Sequence, residues 1–253
     1  MKILSSGGTD PGKKRTNNED AYLVNDKLGL YAVADGVGGS EAGEVASRIA
    51  VETLAEAMPD LLGDKDRTPP SEVRSSDVPE LAAFRHAVTL ANRNIHDEAE
   101  KNTGRTGMGT TLTALLLARQ RAFLVHIGDS RAYRLRGGTL VQLTNDHSVV
   151  AEQMRSGLIS PAQARTSPYR HVITRALGID REAAPDRMEH PVQPDDTYLL
   201  CSDGLTEMVG DRDISTILAG SAPRDAVLKL IAAANEQGGV DNITAVVVKV
   251  LAI

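Results

Sequence analysis

Strand-like runs follow one another in this chain joined by short turns, and that order restricts the fold before any motif is considered. The runs are AYLV at 21–24, GLYAVA at 29–34, TTLTALLLA at 110–118, RAFLVHI at 121–127, RAYRL at 131–135, TLVQL at 139–143, TYLLC at 197–201 and NITAVVVKV at 242–250. Parallel neighbours need a crossover of about a dozen residues or more, so runs this close pair antiparallel. Arg136-Gly137-Gly138, between two of them, is a hairpin signal. Helical spacing falls in separate stretches. At 41–58 it places Ala42, Val45, Ala46, Ile49, Ala50, Leu54 and Ala57 on one face. At 80–101 it places Leu81, Phe84, Val88, Ala91 and Ile95, and at 223–236 Ala226, Leu230, Ile231 and Ala234. Strands in runs and helices apart predict an α+β fold, with mainly antiparallel sheet and helices packed outside it, as a single domain over 1–253.

Two segments stand outside this body. Residues 59–79 hold four prolines and many charges, and read as a flexible surface insert between two helices. Residues 144–180 hold short helical pieces, one starting at Asp146 and one at Ser160-Pro161-Ala162-Gln163, where the capping-box pattern has Pro at the first helical position. They read as a small flap lobe on the sheets.

Several function classes are disfavoured by composition. A net charge of −6 does not suit a general nucleic-acid binder. Aromatics at 3 % with no Trp give little material for stacking platforms. The single Cys201 leaves no intrachain disulfide and no multi-Cys zinc site. No apolar run approaches the ~20 residues that span a bilayer, and MKILSSGG has too short an apolar core for a secretory signal. The expectation is a cytoplasmic enzyme with no nucleic-acid or membrane partner, and a monomer.

The aspartates carry the chemistry. Asp35 ends LYAVAD and leads into Gly36; Asp203 ends TYLLCSD and leads into Gly204; Asp241 stands immediately before NITAVVV. With the last strand antiparallel to the other two, the three carboxylates converge at one rim of the sheet, and Asp129, in the turn of HIGDSR, is placed to join them. Carboxylates within a few ångströms of one another need protons or cations to neutralise them. No Lys or Arg accompanies the three locally, so a divalent cation is the favoured answer, and all-oxygen ligands point to Mg²⁺ or Mn²⁺. Gly36, lacking Cβ, lets its carbonyl approach such an ion. Taken singly, each Asp-Gly is an ordinary turn; the repeated pattern is the signal.

At these residues the chain resembles the metal-dependent protein phosphatases of the 2C type, in their short bacterial form. The resemblance runs from about Asp10 to Val250 through RTNNED at 15–20, VADGVGGSEAGEVAS at 33–47, MGTT at 108–111, GDSRAY at 128–133, LTNDHS at 143–148, TRALG at 174–178, CSDGL at 201–205 and DNIT at 241–244. It implies a four-layer α-β-β-α sandwich. It also implies a pair of Mn²⁺ or Mg²⁺ ions bridged by Asp35, with Asp203 and Asp241 on one and the Gly36 carbonyl on the other. Glu19 and Asp20 would reach the metals through water, Asp129 would help hold a weaker third ion, and His171 in the flap would lie beside it. Arg15 would bind the substrate phosphate with its fork of donors. The implied reaction is attack of a metal-bridging hydroxide on phosphoserine or phosphothreonine, opposing a cytoplasmic kinase. Val37 stands where many relatives carry a histidine proposed as the leaving-group acid, so that acid has no assigned residue.

Other signals read as structural. GGTDPGKK at 7–14 lacks the Ser or Thr a P-loop needs after its lysine, since Lys14 stands there, and GVGG at 36–39 has Glu41 where a dinucleotide loop needs its last glycine. Cys201 has Glu207 where a cysteine phosphatase carries Arg, and reads as a buried strand residue. Adjacent Asp146-His147-Ser148 cannot form a triad, and His147 reads as fixing the flap base or capping a helix. His86 and His96 read as helix-surface or packing residues. Two alternatives to the active phosphatase stay open: an inactive phosphoprotein-binding module, which would ordinarily have lost a metal ligand, and a small-molecule phosphoester hydrolase on the same fold.

Overall fold

The computed structural model describes residues 1–38, 41–63, 78–102 and 107–253. In chain order they form β1 (Lys2–Asp10), β2 (Asp20–Asn25), β3 (Leu30–Val37), α1 (Glu41–Gly63), α2 (Pro79–Lys101), β4 (Gly109–Thr110), β5 (Leu112–Ala118), β6 (Arg121–Ile127), β7 (Arg131–Arg136) and β8 (Thr139–Gln142). Then follow α3 (Val149–Arg155), α4 (Pro161–Thr166), β9 (Asp186–Pro191), β10 (Thr197–Cys201), α5 (Asp203–Thr206), α6 (Asp211–Ala219), α7 (Pro223–Glu236) and β11 (Ile243–Ala252). One sheet has the order β1-β11-β10-β7-β8 and the other β2-β3-β5-β6-β9, with β4 added to β3. Every described pairing of named strands is antiparallel.

Side-chain alternation along each strand turns this topology into four layers. On β3, Leu30, Ala32 and Ala34 face outward and pack with Ala46, Ala50 and Leu54 of α1 and Phe84, Ala87 and Ala91 of α2. Tyr31 and Val33 face inward, against Tyr198 and Leu200 of β10 and Val246 and Val248 of β11. The outer face of that second sheet, with Leu199, Cys201, Ala245 and Val247, is covered by Leu205, Ile214, Ala226 and Leu230 of α5, α6 and α7. The order is α-β-β-α, as the resemblance implied.

The same alternation aims the polar ends. Asp35 continues the inward series Tyr31–Val33, Ser202 continues Tyr198–Leu200, and Thr244 precedes Val246–Val248. Polar side chains from both sheets therefore meet where the apolar inter-sheet layer stops. The expectation of a single sheet rim is corrected: Asp35 lies in one sheet, whereas Asp203 and Asp241 flank strands of the other, so the carboxylates meet across the sandwich.

Other expectations shift for local reasons. The 59–79 insert is helical at its start, since α1 runs on through Pro59 to Gly63. Leu61 and Leu62 pack on the core and offset the hydrogen bond that an internal Pro removes. Residues 64–77 of the insert, and Gly39 and Ser40 of the glycine motif, lie outside the described residues. β1 was hidden by its Ser-Ser-Gly-Gly stretch, in which glycine allows close approach: a Cβ on Gly7 would sit 2.6 Å from the Tyr22 ring. β9 (DRMEHP) is a charged edge strand and lacks an apolar run. The helix expected from Asp146 begins at Val149, capped by Ser148, because Asp146 is engaged by Arg131 through a fork of 2.7–3.1 Å contacts. The Ser160 capping box is present, and Gly137 and Gly138 both have positive φ, as the hairpin requires.

The end of the sandwich opposite the aspartates is closed by one ion pair. Asp196, fully buried, takes 2.6 Å bonds from Nε and Nη2 of Arg136 and a 2.8 Å bond from the Gln193 amide. Burial raises its pKa, but the Arg136 bonds, the Gln193 amide and the charges of Arg136 and Arg134 together outweigh this and hold it below the ordinary value. The stability this pairing contributes is present above the unfolded carboxylate pKa and is lost as pH falls through the depressed folded one. Replacing Arg136 with Met strands the carboxylate. The expected loss is about 3 kcal/mol at neutral pH, measured by urea unfolding, and it should shrink toward acid pH.

Candidate metal centre

Asp20 opens β2 directly opposite Asp35 in the register of β2 and β3. It is buried, and its Oδ2 accepts hydrogen bonds from Ser202 Oγ (2.7 Å) and Thr244 Oγ1 (2.6 Å) of the facing sheet. Its Oδ1 is buried with no hydrogen-bond partner. The Asp20 pKa is raised to about 6 on balance: burial raises it most, the two hydroxyls lower it, and the charge of Asp241 raises it.

Asp35 is held by its backbone. Its amide donates to Thr111 Oγ1 (2.9 Å), and its carbonyl accepts from the Thr111 amide (2.8 Å) and Thr110 Oγ1 (2.9 Å). Its carboxyl is pushed well above the ordinary range, first by burial and then by the charges of Asp20, Asp203, Asp129 and Asp241. Asp203, the first residue of α5, is raised in the same way by burial and then by Asp129, Glu207 and Asp241. Asp129, in the β6–β7 turn, rises to about 7 through burial and the nearby Asp146. The four carboxyls sense one another, so the sequence-distant acids are brought together as expected.

Asp241 has a different environment. Its Oδ2 takes a 2.8 Å bond from Arg15 Nη2 and its Oδ1 takes one from the Asn242 amide. The expectation that no basic residue accompanies these acids holds along the chain but not in space. Arg15 arrives on the 11–19 loop, which Asn242 anchors by donating to the carbonyls of Pro11 and Asn17 and accepting from the Glu19 amide. Glu19 reaches the same edge, where a Cβ on Gly43 would collide with its Oε2. Gly36 is required by packing, since a Cβ there would collide with the Gly43 carbonyl.

His171 lies across the cleft with its Nδ1 2.9 Å from Glu207 Oε1. Ligand atoms of His171, Asp203 and Glu207 fall within 4.8 Å of one another. Glu207 was missed as a site residue. Its signal was its position one helical turn after Asp203, visible only once a helix is known to start there. Ser202 and Thr244 were missed because isolated hydroxyls carry no pattern. Cys201 is a buried strand residue, its thiol pushed up to about 12 by burial. His147 sits just before α3 with its Nδ1 on the Gly128 amide. Lys14, Arg15, Asp35, Asp129, Asp203 and Asp241 share an open cleft of about 1520 Å³ with α4 and His171.

The donor set fits a hard divalent cation. It is all oxygen, it concentrates negative charge beyond what one arginine neutralises, and it leaves a buried carboxylate oxygen unpartnered. The electrostatics make a sign prediction for metal-free protein. Raised folded pKa values mean that above 3.8, the ordinary aspartate value, the folded chain holds protons the unfolded chain has released, so stability falls as pH rises through this window. With chelator present, melting temperature should climb as pH drops from about 8 to about 5, and Mn²⁺ should raise it most at the alkaline end. Asp35→Asn should stabilise the metal-free form by about 1–3 kcal/mol while reducing the shift Mn²⁺ gives. A flat pH profile would contradict this account.

The model of the family described as protein phosphatase 2C matches residues 8–239. The serine/threonine phosphatase stp of Listeria welshimeri is 37 % identical over 245 residues, covering 95 % of this chain and 93 % of that protein. The crystal structure of the Mycobacterium tuberculosis serine/threonine phosphatase PstP/Ppp superposes with a TM-score of 0.86 at 38 % identity, covering 99 % of each chain. The PstP catalytic domain in complex with two manganese ions gives 0.84 at 38 % identity, again over 99 % of each. With a whole-length match in sequence, in fold and in the order of its motifs, the chain belongs to the protein phosphatase 2C family.

Proposed function

We propose that the chain hydrolyses phosphoserine and phosphothreonine in proteins at the meeting line of its two sheets. Asp35, Gly36, Asp203 and Asp241 would hold Mn²⁺ or Mg²⁺, Glu19 and Asp20 would act through water, and Asp129 would hold a weaker third ion. The observation that carries this reading is the set of four carboxyls, drawn from both sheets and all pushed toward protonation, three of them lining a single cleft and Asp20 buried beside Asp35. Bound divalent ions supply a water acidified to a nucleophile near neutral pH and Lewis-acid pull on the phosphoryl oxygens.

The chain's own groups do the rest. The Asp35 backbone, from which its carboxyl projects inward, is held by Thr110 and Thr111. Asp20 is fixed by Ser202 and Thr244, which leaves its other oxygen buried and unpartnered beside the strand that carries Asp35. Arg15 lines the cleft and is half-exposed, with one terminal nitrogen on Asp241, so its guanidinium is available to a phosphate. Val37 offers no proton to the departing alcohol, so protonation there falls to water. A cleft this large and open, lined by Lys14, Arg15, Thr16 and Asn17 and by Pro161, Ala164 and Arg165 of α4, suits a polypeptide substrate better than a small phosphoester. The intact acids speak against an inactive binding module.

The proposal extends to one catalytic domain over 1–253 with a flap at 144–180, a cytoplasmic monomer opposing a serine/threonine kinase. Cys201, buried and free, suits a reducing compartment, and no described helix is long and apolar enough to cross a membrane.

Hydrolysis of p-nitrophenyl phosphate and of a phosphothreonine peptide, with and without Mn²⁺, tests the reading. Wild type should turn over both only with metal. Asp35→Asn should lose about 10²–10³-fold in kcat, and Arg15→Ala should raise KM for the peptide about tenfold. Metal-independent turnover, or full activity in Asp35→Asn, would overturn it.

A further inference from the structure

Asp129 is bracketed by buried side chains on both sides. The residue before it, Gly128, gives its amide to His147 Nδ1 (3.1 Å), while its carbonyl accepts from the His147 amide (2.7 Å). After it, Ser130 meets Thr111 Oγ1 through its hydroxyl (2.7 Å) and accepts from Thr113 Oγ1 through its carbonyl (3.0 Å). Thr111 is the residue that fixes the Asp35 amide. Gly128 has φ +105°, and a Cβ on it would lie 2.5 Å from Thr111 Cγ2, so the turn accepts only glycine here.

His147 is also where the flap segment closes. Its carbonyl accepts from the Thr174 amide (2.8 Å), and Ser148 bridges Ile173, so both ends of the segment attach at this residue. His126 stands beside it, ring centroids 4.8 Å apart, with Nε2 3.0 Å from the Asn145 carbonyl and Nδ1 3.0 Å from Thr113 Oγ1. The His147 ring is buried, and its Nε2 lies 3.2 Å from Asp186 Oδ2 on β9.

The tautomer follows from these partners. A backbone amide can only donate, so Nδ1 of His147 is the unprotonated nitrogen and Nε2 carries the hydrogen, which it gives to Asp186. Arg175 Nη1, 3.4 Å from Nε2, cannot donate to it in this tautomer and serves Asp186 Oδ1 instead (3.2 Å).

We propose that His147, oriented by Asp186, is a positioning residue that sets the Asp129 turn and ties the flap base to it. Its functional half rests on Asp129 facing a metal; its structural half does not. Partners one step behind metal ligands commonly govern affinity by about 10–100-fold. A packing histidine with no such role would affect stability alone.

The test uses the full chain. In metal-free protein, long-range ¹H–¹⁵N spectra should show His147 protonated at Nε2 only, and the Gly128 amide should exchange slowly. The opposite tautomer, or an unprotected Gly128, would overturn the His147–Gly128 pairing as a staple of the turn. Mn²⁺ titration by calorimetry gives the second readout, with Asp129→Asn identifying the binding step that Asp129 supports. Asp186→Ala, on a half-exposed edge-strand residue, should weaken that step about tenfold and speed Gly128 exchange. Asp186→Asn, which can still accept from Nε2–H, should restore both. His147→Asn, whose Oδ1 can take the Gly128 amide in place of Nδ1, should keep more Gly128 protection than His147→Ala. Asp186→Ala with an unchanged isotherm and unchanged exchange would sink the proposal. Should Asp129→Asn leave Mn²⁺ binding intact, the metal reading of Asp129 fails while the tautomer and exchange data still decide the staple.

Discussion

Like charges brought together without water cost free energy that some part of the molecule has to supply. Here Asp20, Asp35, Asp129 and Asp203 are drawn to one place between two sheets, and each is driven toward its neutral form first by burial and then by the charge of neighbouring acids. No apolar packing is gained there; the inter-sheet layer of Tyr31, Val33, Tyr198, Leu200, Val246 and Val248 stops just short of it. The metal-free fold is thus held together elsewhere and strained at this line. Cation binding is linked to folding because the ion relieves a repulsion that the folded chain alone creates.

The sandwich makes this possible with little special machinery. A strand alternates its faces, so two sheets that bury their inner faces against each other also aim the next inward side chains of each into the same gap once the apolar residues run out. Asp35, Ser202 and Thr244 are those next residues. Hydroxyls from one sheet then fix a carboxylate of the other, as Ser202 and Thr244 do for Asp20. The polar contacts across the gap add register to packing that is otherwise non-directional, and the centre is only as well placed as the two sheets are relative to each other.

Much of this was legible in the residues. The antiparallel runs, the three main helices, the Arg136-Gly137-Gly138 hairpin and the Ser160 capping box were visible because each has a period or a fixed local spacing. β1 and β9 were not, since glycine packing against Tyr22 and alternating charge on an edge strand both look like loop when the partner is unseen. Among the acids, Asp35, Asp203 and Asp241 announced themselves by standing at strand ends. Glu207 did not, because its relevance comes from a one-turn helix with no pattern of its own. That the acids meet across two sheets, and that Arg15 reaches Asp241 from 226 positions away, are consequences of topology that no local window contains.

The Arg15–Asp241 pair gives the centre a second internal counter-charge, of a different kind from a proton. Asp241 is the one acid of the group whose carboxylate already has a guanidinium on one oxygen and a backbone amide on the other. Arg15 is half-exposed, and its partner is largely shielded, so the pair is only partly desolvated and its net contribution to stability is small. A weak pair is an advantage at this position. On the proposed function, an ion taking Asp241 would release Arg15 at little cost and leave the guanidinium at the cleft edge for an incoming phosphate dianion. Filling the centre and readying the substrate-binding group would in that case be the same event. The 11–19 loop that carries Arg15 is pinned by Asn242, the residue next to Asp241, so the loop would hold the arginine in place through such an exchange.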